Sequence, residues 1–260
     1  MLTQKELKYY ASLLQKKYRQ EYHKFLVEGI TLIQEAINSN YKCEIIISSY
    51  LYAQKNNDVL NQLRNQNLRT EIINQTLFEK LCDTKTPQGI IGVFLFPEIN
   101  LNQRENILKE KLIVALENIS DPGNLGTILR NCDWFGFNNI LLSPDCAEVF
   151  NPKVIRASAG SLFHVNFYEA ANFYDRLNDL KKSGYKIYCT DLDGKNIYEF
   201  KLSEKSIVVF SSEAHGPSNK LLEVSDLKIT IPRFGNAESL NVASASAIVL
   251  SELSKKVRDN

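Results

Sequence analysis

No stretch of this 260-residue chain approaches the roughly 18 consecutive apolar residues of a membrane span, and its first residues lead into no apolar secretory segment. The five cysteines (Cys43, Cys82, Cys132, Cys146 and Cys189) are odd in number and scattered, and no C-x-x-C pair occurs. That argues against a disulfide framework and against a zinc site, so no metal is expected. An excess of one charge is also lacking: 31 Lys and Arg face 30 Asp and Glu, so no global field announces a polyanionic partner. Repeats and low-complexity tracts are missing. So is a complete phosphate-binding loop, because Gly123-x-x-Gly126 lacks the remaining glycine of G-x-G-x-x-G and no P-loop is present. A nicotinamide-dependent oxidoreductase therefore has no fingerprint here. These absences lead us to expect a soluble, cytoplasmic protein without membrane contact.

What is present is ordinary globular composition, 44% hydrophobic and 23% charged, and enough chain for two modest domains. Apolar spacing predicts a helix over Lys5–Lys17, a short strand over Phe25–Gly29 closed by glycine, a helix over Ile30–Asn38 and a strand over Cys43–Ser48. Helices at Asp58–Asn65 and Asn74–Cys82 and strands at Thr70–Ile73 and Gly89–Phe94 follow. Pro97–Asn106 is polar and without period, which places a boundary there. The expected division is 1–97, a linker over 98–111, and 112–260. The second part alternates strands (Leu112–Leu116, Ile140–Leu142, Val165–Tyr168, Lys186–Thr190, Ile207–Phe210, Leu227–Ile231) with helices at Gly126–Phe135, Lys153–Ala159, Ala171–Lys182 and Asn241–Val257. That alternation predicts an α/β fold with a mostly parallel sheet.

Three strand-end junctions gather the chemistry. In the first, Asp121-Pro122-Gly123-Asn124 reads as a tight turn with Asn124 capping the next helix, and Arg130 follows in an otherwise apolar segment. A guanidinium there needs a partner or solvent; a salt bridge under a loop explains a lone arginine as well as a functional role does. The second junction puts Glu213 just after an apolar strand, ahead of Gly216. Such a carboxylate can bind a hydroxyl or an arginine, or simply favour a helix N-terminus. His215 beside it could act as a base, although no carboxylate orienter is visible in the sequence. In the third, Ser239-Leu240-Asn241 precedes a run of small residues from Val242, where Ser239 or Asn241 could cap a helix pressed closely against a neighbour. Near the start, Lys5, Lys8, Lys16, Lys17, Arg19 and Lys24 face only Glu6 and Glu21, which makes either a solvated helix face or a local basic surface.

In order and spacing, Asp121–Arg130, Glu213–Gly216 and Ile231–Ala245 resemble the motifs of the SpoU (TrmH-like) ribose 2′-O-methyltransferases of the SPOUT superfamily. The resemblance covers about Leu112 to Val257. Asn151–Gly160 also resembles a family segment, and Phe25–Gly29 with Pro87-Gln88-Gly89 is similar to the family's small α/β/α RNA-substrate-binding domain. The resemblance implies a C-terminal domain threaded into a trefoil knot and a homodimer that completes each site. It implies S-adenosyl-L-methionine as cofactor, held near Thr190, Ser211, Ile231 and Leu240. It implies a catalytic set of Arg130, Asn124, Glu213, Ser239 and Asn241: Arg130 acting as base or positioning the adjacent phosphate, Asn124 orienting Arg130 or the ribose, Glu213 shaping the site, and Ser239 and Asn241 contacting the substrate or the arginine. The implied substrate is structured RNA, ribosomal RNA of the 23S type ahead of tRNA, because the minimal tRNA enzymes of the family usually lack the N-terminal domain. The basic N-terminal segment would contact phosphates.

Two positions depart from the pattern. Ser211 stands where the family has glycine, and Ala214 follows the glutamate. A Cβ at 211 near the cofactor's path predicts weakened affinity. The departure also leaves open an RNA-binding protein of the same fold with weak or lost methyl transfer.

Overall fold

The computed structural model describes residues 2–97, 107–212 and 215–259, and Glu213 and Ala214 lie outside them together with part of the expected linker. The chain divides into two compact units, one of Met1–Glu98 with Glu148–Phe163 and one of Ile99–Ala147 with His164–Asn260.

In the first unit, α1 (Gln4–Ser12) and α2 (Lys16–Tyr22) replace the single helix expected over Lys5–Lys17. Gln15 adopts extended backbone (φ −98°, ψ 134°), which breaks the helix expected across it. A capping box opens α1, with Glu6 N donating to Thr3 Oγ1 and Thr3 N to Glu6 Oε2. Then come β1 (Lys24–Glu28), α3 (Ile30–Asn38), β2 (Cys43–Ser49), α4 (Tyr50–Lys55), α5 (Asn57–Asn65), β3 (Thr70–Ile73), α6 (Gln75–Glu79) and β4 (Ile90–Leu95). The sheet order is β1-β4-β2-β3, antiparallel except for the parallel β2–β3 pair. Gly29, at φ 95°, makes the turn from β1 into α3 that a side chain would strain. Leu7, Tyr10, Leu13, Leu26, Ile45, Ile47, Phe78 and Val93 form part of one buried cluster.

The second unit contains β5 (Leu112–Glu117), α7 (Pro122–Phe135), β6 (Asn139–Leu142), β7 (Asn166–Glu169), α9 (Phe173–Lys182), β8 (Lys186–Asn196), β9 (Ser206–Ser211), α10 (Asn219–Val224), β10 (Leu227–Thr230) and α11 (Val242–Asp259); α8 (Pro152–Ser158) belongs to the first unit. All pairings in the sheet β10-β8-β9-β5-β6-β7 are parallel. The central strands β5 and β9 are buried along their whole length, as their continuous apolar runs require when both faces are covered. At the outer edge Gly194 lets β8 approach β10, since a Cβ there would lie 2.8 Å from the Lys228 carbonyl carbon.

Candidate active site

From β5 the chain builds outward to β6 and β7, then crosses to lay β8, β9 and β10 on the other side. The direction therefore reverses between β5 and β9. In open parallel sheets the crevice at the carboxyl ends of strands flanking such a reversal is where ligands bind. The chain leaves β5 there through Asn118, whose φ of 57° is a left-handed turn that asparagine tolerates. Its backbone N–H donates to Ser143 Oγ at 2.8 Å.

The first and third sequence junctions meet at this end. Asp121, rather than Asn124, caps α7: Asn124 N donates to Asp121 Oδ1 at 2.8 Å and Pro122 occupies the first turn. Freed from capping, the Asn124 side chain accepts a 3.0 Å bond from Asn241 Nδ2. Asn241 in turn caps α11, its Oδ1 accepting from Ala243 N at 3.0 Å and Ser244 N at 3.3 Å. Ser239 and Leu240 precede it, both exposed.

Arg130 is exposed on α7 and makes no hydrogen bond or ion pair among the described residues. Six positions separate it from Asn124, about 240° around the helix, so the two side chains leave different faces. The structure thus joins Asn124 to Asn241 and leaves Arg130 apart from both. Trp134, one turn beyond Arg130, is 82% exposed on the same face.

Of the four candidate cofactor positions, Ser211 and Ile231 stand at strand ends, Thr190 lies within β8 and Leu240 lies just before α11. Beyond the Cys189–Val209 pair β8 no longer pairs with β9, and Thr190 Oγ1 donates to the Val209 carbonyl at 3.1 Å instead. Ser211 ends β9 and Ile231 follows the end of β10. The Ser211 hydroxyl is buried and has no hydrogen-bond partner among the described residues. An unpaired buried hydroxyl is costly unless a bound group answers it, which fits a polar ligand at this strand end.

In the first unit, the two N-terminal segments singled out in the sequence come together. The buried Glu28 carboxylate accepts from Gln88 N at 2.9 Å and from Thr84 Oγ1 at 2.9 and 3.0 Å. In the Asn151–Gly160 segment, Asn151 Oδ1 caps α8 through Lys153 N at 2.9 Å, and Arg156 forms a fork with Asp83 at 2.5 and 3.0 Å.

None of the five cysteines is a poised nucleophile. Burial pushes every thiol upward, Cys43 and Cys82 to about 12, so a thiolate is disfavoured at each. No group of three or more metal-ligating side chains occurs among the described residues, and no described helix is long and apolar enough to cross a membrane. At the crevice stand an amide pair and an orphaned hydroxyl, groups that bind and orient.

Residues 111–251 match the SpoU rRNA Methylase family. The chain belongs to that family. Residues 4–92 match the MRM3-like substrate binding domain. Among relatives, the 23S rRNA (guanosine(2553)-2′-O)-methyltransferase RlmP of Bacillus subtilis is 31% identical over 95% of each chain. The 23S rRNA (guanosine-2′-O-)-methyltransferase RlmB of Neisseria meningitidis is 28% identical over 75% of this chain and 80% of its own. Among solved structures, an AdoMet-bound rRNA methyltransferase from Sinorhizobium meliloti superposes with a TM-score of 0.81 at 25% identity, covering 98% of this chain and 96% of the other.

Within this SpoU-family unit, sequence reading passed over two residues that set the geometry. Glu117, at the end of β5 and only 1% exposed, accepts from Tyr174 Oη at 2.7 Å, Ser218 Oγ at 2.6 Å and Ser218 N at 3.2 Å. It thereby ties down the far end of the segment after β9. Asn131 Nδ2 donates to Ala243 O at 3.0 Å and Ser246 Oγ at 2.9 Å, locking α7 to the small-residue start of α11. Asn131 lies seven positions beyond Asn124, one face of a helix, and that spacing was the available signal.

Proposed function

We propose that this chain transfers a methyl group from S-adenosylmethionine to a ribose 2′-hydroxyl of structured RNA, with ribosomal RNA of the 23S type as the substrate. The observation that carries the proposal is the Asn124–Asn241 bond, which draws the first and third motifs together at the reversal of the sheet. Relatives named for 2′-O-methylation of 23S rRNA support the choice of acceptor.

Thr190, Ser211, Ile231 and Leu240 would hold the cofactor, with the orphaned Ser211 hydroxyl as a ready hydrogen-bonding group. Bound there, the cofactor supplies an electrophilic methyl group, so the chain need only position and activate the acceptor. A guanidinium offers donors and no acceptor, so Arg130 is assigned no role as a base. Its fork of donors instead grips the phosphate next to the target ribose and stabilises charge growing on the 2′-oxygen as its proton passes to an oxygen of that phosphate. Asn124, fixed by Asn241, orients the acceptor; Ser239 contacts the RNA; Glu213 shapes the segment whose end Glu117 anchors. The knot implied by the family is part of this proposal, as is a homodimer. Two exposed aromatic side chains, Trp134 at 82% and Phe234 at 97%, are the surface a second copy would cover.

Incubation with methyl-labelled S-adenosylmethionine and total RNA tests the proposal. Label is expected in large ribosomal RNA; label confined to tRNA would displace the substrate assignment, and no label at all would leave an RNA-binding protein of the same fold.

Ser211 gives a second test. The Cβ alone argues for weakened cofactor affinity, but the unpaired hydroxyl argues for a gained bond. Ser211→Ala keeps the Cβ and removes the hydroxyl, and is expected to weaken cofactor binding about fivefold, from a bond of about 1 kcal/mol. Isothermal titration would show it; unchanged affinity would mean the hydroxyl plays no part.

A further inference from the structure

We propose that the α1–α2 hairpin carries a stacking platform for an unpaired stretch of RNA, built from Tyr9, Tyr22 and Tyr18 and framed by Lys5, Lys8, Lys16 and Lys17. The proposal rests on the RNA reading above and adds the form of RNA that this unit takes.

Three rings form a row. Tyr9 and Tyr22 lie 4.8 Å apart at 44°, and Tyr22 and Tyr18 5.9 Å apart at 20°, close to parallel. All three are partly exposed. Tyr9 and Tyr22 also pack against the core of the unit, which explains them as glue between helices. Tyr18 does not belong to that packing. It extends the row outward, with Lys17 Nζ 5.5 Å from its ring centre. At the other end Lys24 Nζ stands 5.2 Å from the Tyr9 ring.

Charge around the row favours a polyanion. Lys5, Lys8, Lys16 and Lys17 are exposed and form no ion pair among the described residues. The nearby carboxylates are engaged: Glu6 binds Thr3 and Arg69, and Glu44 binds Lys24 and Tyr10. Glu21, exposed beside Tyr22, is the one opposing charge on α2. The platform is also preformed. Arg19, 2% exposed on the inner face of α2, donates Nη1 to Leu13 O and Leu14 O at 2.8 Å each and pairs with Glu148, fixing how α2 follows α1. Aromatic faces between lysines suit bases lifted out of a helix, because every base has a face to stack and every linkage a phosphate to neutralise. In a duplex those faces are already occupied.

The test is fluorescence anisotropy of the full chain with a short, labelled, adenine-rich oligoribonucleotide, alone and annealed to its complement. The single strand is expected to bind more tightly. Tyr18→Ala should weaken it roughly tenfold and Tyr18→Phe should restore it, as stacking without the hydroxyl requires. The Lys16→Ala, Lys17→Ala pair should flatten the logarithmic salt dependence by about 1.4, two phosphates' worth on a single strand. Wild-type affinity in Tyr18→Ala, equal binding of the duplex, or no binding of either probe would overturn the platform. Methyl incorporation by the wild type, measured on the same preparation, tells that failure from failure of the methyltransferase reading, and thermal melts show that each variant is folded.

Discussion

Arg130→Ala is expected to lower kcat/KM for methyl transfer by about 10²–10³-fold, the usual loss when one donor to a developing oxyanion is removed. Arg130 has no carboxylate to neutralise it among the described residues, and α7 turns it away from the face where Asn124 meets Asn241. A guanidinium anchoring the fold would be buried and bonded, as Arg19 is. Arg130 is neither, and its donors stand available to a ligand. The loss should appear in kcat at saturating cofactor. Arg130→Lys should recover only part of it, because an ammonium keeps the charge but loses the planar fork. Steady-state kinetics on RNA would decide; a rate within a few-fold of wild type in Arg130→Ala would remove Arg130 from the site.

The second large effect concerns stability. Arg19→Ala should destabilise the N-terminal unit by about 3–5 kcal/mol, because Glu148, only 7% exposed, would keep its charge and lose its partner. Two carbonyls, those of Leu13 and Leu14, would lose their donor as well. Glu148→Ala should cost a similar amount for the converse reason. Arg19→Met combined with Glu148→Leu should be far milder than either single change, since apolar groups of similar size leave no orphaned charge. Amide hydrogen exchange in β1 and β4 would report the loss where it occurs. Wild-type protection in Arg19→Ala would contradict the account.

The sequence made the architecture of the second unit legible because its signals are strong ones. The apolar runs of β5 and β9 lie in the sheet centre, buried on both faces, so no alternation was needed to recognise them. Asn241 was equally readable as a cap, having a helix of small residues directly behind it. What stayed hidden depended on choices between neighbours. Asp121 and Asn124 can each cap a helix, and only the backbone shows that Asp121 does so and releases Asn124 to reach Asn241. Glu117 was concealed at the end of an apolar run, because its value lies in three donors from distant segments. The grouping of Glu148–Phe163 with the first unit was invisible for the same reason: Arg19 and Glu148 are far apart in sequence, and their pairing exists only in the fold. The break between α1 and α2 was not legible because Leu7, Tyr10 and Leu14 keep a helical period right up to Gln15 and no glycine or proline marks the turn.

The account turns on the atom that receives the methyl group, and alkaline hydrolysis of the labelled RNA product reads that atom directly. A methyl on the ribose 2′-oxygen blocks cleavage of the adjacent phosphodiester. Label is therefore expected in alkali-resistant dinucleotides, accumulating there about 10²–10³-fold more slowly in the Arg130→Ala reaction. Label recovered in mononucleotides would place the methyl on a base and contradict the account.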